Sequence, residues 1–115
     1  MSLPLPRPIA AYLAAANAYE SLAAAALFCR DGVVHECGLS HVGNDAVAAW
    51  IAGSPQRVEV VGLTATAGRV LASVSVSGGF VGSPVARRYA FTLHGERIAR
   101  LDVRDWLDRS GLEHE

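Results

Sequence analysis

Lysine is absent. All ten basic residues are arginines, scattered from Arg7 to Arg109 against eleven acidic residues, for a formal charge of −1. With no basic patch or run to hold a phosphate backbone, nucleic-acid binding is not expected. Cysteine is scarce too: Cys29 and Cys37 can make one bridge at most. Met1 to Pro8 holds three prolines and no cleavable apolar region, so the two thiols are expected to stay reduced in a cytoplasmic protein. No apolar stretch approaches the roughly 20 residues of a membrane helix, so no membrane partner is expected. There is no internal repeat and no low-complexity linker.

What remains is a chain of 115 residues that is 51% hydrophobic and 18% charged, too apolar for disorder and long enough for one core. The expected organisation is a short leader over 1–7, one domain over 8–106 and a polar tail over 107–115, with Met1-Ser2-Leu3 readable as a vector scar.

Ile9, Tyr12, Leu13 and Ala16 recur at helical spacing, with Pro8 suited to a first turn where its missing N–H costs nothing. Glu20 to Leu27 is alanine-rich and predicts a second, shorter helix whose face runs Tyr19, Leu22, Ala26. Asp31-Gly32 interrupts the pattern, and Val33 to Cys37 starts as a strand. Gly43-Asn44-Asp45 reads as a turn and helix N-cap, leading into a third helix that Gly53-Ser54-Pro55 stops. Four strands then follow, over Arg57 to Ala65, Val70 to Ser77, Val85 to Leu93 and Arg97 to Val103. Helices followed by a meander predict an α+β fold: three N-terminal helices packed on a curved, mostly antiparallel sheet. A second apolar face carrying Val58, Val60, Val70, Val74 and Val76 predicts a homodimer through the sheet.

Two blocks carry a resemblance. The first is Ala26-Leu27-Phe28 leading to Asp31-Gly32-Val33-Val34, with Gly43, Ala46-Val47 and Trp50 beyond. The second is Val76 to Val85, then Arg88 to Leu93, Gly95, Ile98 and Leu101. Together they resemble the SnoaL-like branch of the nuclear transport factor 2-like superfamily. That resemblance implies a cystatin-like cone with a pocket under the sheet, and it spans isomerases, polyketide cyclases, dehydratases and non-catalytic binding proteins.

Laid on the ketosteroid isomerase pattern, Tyr12 takes the place of the oxyanion-binding tyrosine and Glu36 that of the general base. Removing a proton beside a carbonyl needs both a base and a donor where negative charge collects. That isomerase has a third member, a protonated aspartic acid. The matching stretch here reads Ala86-Arg87-Arg88-Tyr89, with no carboxylate, and one of the two arginines facing inward would favour an anionic ligand group. Trp50, Arg88, Tyr89, His35 and Tyr19 are the expected ligand contacts. His35, Cys37 and His41 lack a fourth partner, so no metal is expected, and the chemistry asks for no cofactor. The expected activity is a cofactor-independent isomerase, cyclase or dehydratase acting on a small apolar carbonyl compound. The rival is a non-catalytic ligand-binding or dimerisation module, in which Tyr12 is core packing and Glu36 a strand-edge carboxylate.

Overall fold

In the computed structural model, which describes residues 5–53 and 56–105, proline and alanine set the first layer. Pro8 sits within the opening turn of α1 (Arg7–Asn17), which buries Pro8, Ile9, Tyr12 and Leu13. The helix ends with the N–H of Tyr19 on Ala16 O (3.0 Å) and that of Glu20 on Ala15 O (2.9 Å), a Schellman closure with Tyr19 at φ 61° in the left-handed position that glycine usually fills. The five-residue α2 (Ser21–Ala25) follows at once and buries Ala24 and Ala25. Leu22, expected on its buried face, is 77% exposed, because the alanines let the helix lie close and leave the larger side chain outside.

The first strand, β1 (Phe28–Glu36), starts five residues before the predicted one. Asp31-Gly32 does not break it but lies where its register on the last strand shifts, between Phe28 and Val33. Gly32 is required there: a Cβ would come within 2.9 Å of Phe28 Cβ and 3.0 Å of Cys29 O. A short hairpin then adds β2 (Leu39–Val42), an element the sequence reading did not contain. Cys37 and Gly38, both at positive φ, make its turn. Next comes α3 (Asn44–Gly53), which buries Val47 and Ala48. Asn44, predicted to help cap this helix, sends its amide to Ala25 O (2.9 Å) and ties α2 to α3.

The meander is β3 (Arg57–Thr66), β4 (Arg69–Ser77), β5 (Val85–His94) and β6 (Arg97–Asp105). The curved six-stranded sheet runs β2-β1-β6-β5-β4-β3, antiparallel throughout except for the parallel β1·β6 pair. The predicted stop at Ser54-Pro55, the outer part of the leader and the polar tail lie outside the described residues. No helix among them is long and apolar enough to cross a membrane.

Phe28, Val34, Val70, Val74, Val76, Phe91, Ile98 and Leu101 form the core with the helices, each 3% exposed or less. Val58, Val70, Val74 and Val76 are therefore covered within the chain, and Val60 packs against the same cluster. The four buried valines are not available for a sheet-to-sheet contact between copies. Alternation groups side chains onto one face without telling which face the helices cover. A second shift follows from the irregularity at Thr92/Leu93, opposite Ile98 to Arg100. It puts Ile98 on the core face with Leu101, whereas Arg100 and Asp102, which strict alternation would group with Ile98, lie on the opposite face.

Candidate functional site

Asn17 anchors the site. Its amide donates to Val58 O (2.9 Å) and its carbonyl oxygen accepts from Val58 N–H (2.7 Å), fastening the end of α1 to the sheet's edge strand. Between them opens a cavity of about 170 Å³ lined by Tyr12, Ala16, Tyr19, Ser21, Glu36, Trp50, Ile51, Gln56, Val58 and Tyr89. Asn17 was not among the expected functional residues. An asparagine at a helix end carries no signal of which distant strand it will bind.

Alternation supplies two of the lining groups. Glu36, Val103 and Tyr89 are successive register partners across β1, β6 and β5, so their side chains share the helix-facing side. Glu36 is half-buried, and its Oε1 accepts a hydrogen bond from Trp50 Nε1 (2.9 Å). That bond fixes the carboxylate's rotamer and leaves Oε2 without a partner among the described residues. The Trp50 ring lies 6.3 Å from that of His41, centroid to centroid.

Tyr12 is 3% exposed and Tyr89 2%. Their rings lean on Phe91 from two directions, at 6.0 and 6.1 Å and near-perpendicular angles, and Tyr12 also meets Phe28 at 5.7 Å. Among the described residues neither hydroxyl has a hydrogen-bond partner. Yet among the described residues no fully enclosed side-chain oxygen or nitrogen lacks one. Neither hydroxyl is therefore fully enclosed, and both residues line the cavity. Burial pushes both well above the ordinary tyrosine range. For Tyr12 the Tyr89 hydroxyl and the Glu36 carboxylate add to it; for Tyr89 the carboxylate adds and Arg87 opposes. They are neutral O–H donors at any physiological pH.

Of the expected ligand contacts, Trp50, Tyr89 and Tyr19 line the cavity with Tyr12 and Glu36, whereas His35 and Arg88 do not. The period of two sends both to the other face. His35 is the register partner of Asp102, with its Nδ1 2.9 Å from Ser40 Oγ. Arg88 stands between Ser73 and Arg104. Arg87 shares the side of Tyr89, outside the cavity lining. Tyr19 stands at the cavity's rim, 64% exposed, and its left-handed backbone costs about 1–2 kcal/mol that the helix closure must offset. Among the described residues no group of three His, Cys, Asp or Glu side chains is placed to hold a metal ion.

No family model matches the sequence, and no curated protein matches it. Solved structures do. A candidate polyketide cyclase from Sinorhizobium meliloti is 32% identical, with a TM-score of 0.81 over 87% of this chain and 95% of its own. A Catenulispora acidiphila protein with a ketosteroid isomerase-like fold, in complex with trimethylamine, is 20% identical, with a TM-score of 0.77 over 89% of this chain and 87% of its own. A protein of unknown function from Cytophaga hutchinsonii, nuclear transport factor 2-like, is 14% identical, with a TM-score of 0.77 over 97% of each chain.

Proposed function

Since the chain belongs to the nuclear transport factor 2-like superfamily, with its SnoaL-like, polyketide cyclase-like and ketosteroid isomerase-like members, we propose that its cavity binds a small apolar carbonyl compound and moves a proton on it without a cofactor. The observation that carries this reading is a carboxylate fixed at one oxygen and a neutral, partnerless tyrosine hydroxyl on the wall of one cavity. Glu36 Oε2 is the base and Tyr12 the donor.

In the step this supports, Glu36 takes a proton from the carbon beside the carbonyl. The C–H electron pair becomes a C=C bond while the carbonyl π pair moves onto oxygen. Tyr12 hydrogen-bonds the resulting anion, which in a water-poor cavity is worth more than in bulk solvent. Return of the proton to a different carbon completes an isomerisation, and loss of a β-leaving group completes an elimination. Likeness to a candidate polyketide cyclase favours substrates with acidic C–H groups next to carbonyls.

Deuterium uptake from D2O into the α-position of cyclohexanone, followed by proton NMR, tests this without knowing the natural substrate. The chain should accelerate uptake over buffer. Glu36→Gln keeps the shape and removes the base, and should lower the rate by roughly 10²-fold or more. Equal rates for chain and variant would refute base catalysis.

A second reading has its own observation. Glu36 with the rings of Tyr12, Tyr19, Trp50 and Tyr89 also suits a small methylated ammonium ion, through cation–π contact and one carboxylate. The Catenulispora neighbour was captured with trimethylamine. Calorimetric titration with trimethylammonium separates the two: binding without any exchange activity favours the binding module.

A further inference from the structure

The proposed reaction leaves Tyr89 unused. The residue is as buried as Tyr12, its hydroxyl is equally without a partner among the described residues, and both residues belong to the lining of the same cavity. A tyrosine hydroxyl on a core-facing strand position normally finds an acceptor when the protein folds, since leaving it unpaired costs about 1–3 kcal/mol. Here β5 could have carried phenylalanine, as it does two residues later at Phe91. The residue instead lines the same cavity as Tyr12, from a central strand paired along both edges.

Resting on the proposed reading of the site, we infer that Tyr89 is its second donor, so that the oxygen anion formed on a small single-ring carbonyl compound is held by two tyrosine hydroxyls. Tyr89 fills the role for which the sequence offered no carboxylic acid in Ala86-Arg87-Arg88-Tyr89. A tyrosine is suited to it without tuning: it stays protonated at neutral pH, whereas a carboxylic acid must be forced to do so by burial. The ligand class follows from size. An apolar cavity of roughly 150 Å³ takes one benzene-sized ring, and this one is about 170 Å³, so a single ring fits and a fused tetracycle does not fit inside.

The test uses 4-nitrophenol, whose ionised form is a stable single-ring oxyanion with its own absorbance, and 4-nitroanisole, of similar shape without the ionisable oxygen. Once Glu36 has taken the proton it is neutral, so Glu36→Gln is the background that presents the anion-holding state. In that background Tyr89→Phe and Tyr12→Phe should each weaken 4-nitrophenolate by roughly 10- to 100-fold, as loss of a hydrogen bond to a charged group does. Each should also raise the pH at which the bound phenol ionises and leave 4-nitroanisole affinity unchanged. If only Tyr12→Phe weakens the phenolate, Tyr89 is not a donor and the inference falls while the proposed reaction stands. If Tyr89→Phe weakens both probes alike, Tyr89 is a pocket wall and the inference falls again. If 4-nitrophenolate fails to bind Glu36→Gln at all, the reading of the cavity as an oxyanion site fails, and the role of Tyr89 with it.

Discussion

On the face of the sheet away from the helices Asp102 is 7% exposed, and Arg100 occupies both its carboxylate oxygens, with Nε at 3.1 and 3.0 Å and Nη2 at 2.9 Å. Across the same sheet Tyr12 and Tyr89 are more deeply buried, and among the described residues their hydroxyls have no partner. Burial alone does not separate these groups; satisfaction does. A buried charge whose partner stands two residues away on the same strand has been settled by folding. A buried donor facing a cavity has been left for something else to satisfy.

That contrast can be broken by stability measurements. The largest change should come from the satisfied group: Asp102→Asn removes a charge-assisted pair and should lower stability in urea by about 1–3 kcal/mol, with no loss of cyclohexanone exchange. A comparable loss of exchange would mean that the two faces are coupled.

The alkaline limb comes next. Tyr12 and Tyr89 are raised above the ordinary value of 10.0, chiefly by burial, so the folded chain keeps protons that the unfolded chain gives up. Their contribution to stability is complete below about pH 10 and is lost as pH rises toward the folded values, at up to ~1.4 kcal/mol per pH unit for each tyrosine. Urea midpoints should therefore fall above pH 10, and Tyr12→Phe and Tyr89→Phe should each flatten that fall. A slope unchanged by both variants would place the ionisation elsewhere.

The smallest effect is expected from the same two variants at neutral pH. Because neither removes a protein hydrogen bond, each should shift stability by less than about 0.5 kcal/mol or raise it slightly. A loss above 1 kcal/mol would reveal a partner for the hydroxyl and weaken the contrast.

Parts of this were readable in advance. The period of two on β5 and β1 was legible, and applied strictly it would have removed Arg88 and His35 from the ligand contacts expected beside Tyr89 and Glu36. The hairpin strand Leu39–Val42 was not readable, because its four residues leave Leu39 64% and Val42 60% exposed and carry no inward pattern. The early start of β1 at Phe28 was hidden by Asp31-Gly32, which looks like a turn until Gly32 is seen packed against Phe28. Strict alternation along the last strand would wrongly group Ile98 with Arg100 and Asp102, because an irregular register shifts parity without leaving a mark in residue type.

By itself, the sequence determined which residues are helical, which alternate, and which side chains on one strand share a face, because these follow from periods of 3.6 and 2 along a continuous chain. Its resemblance to ketosteroid isomerases pointed to Tyr12 and Glu36 as the expected pair. The tertiary structure alone decided which face the helices cover, and hence that the valines of β4 are core. It also decided that Trp50 holds Glu36 (2.9 Å), that Asn17 closes the cavity's edge on Val58, and that Tyr12 and Tyr89 line one cavity. Each of these is a meeting of residues 14 or more positions apart. Local preference sets where a side chain points from its own element; only packing sets what it finds there.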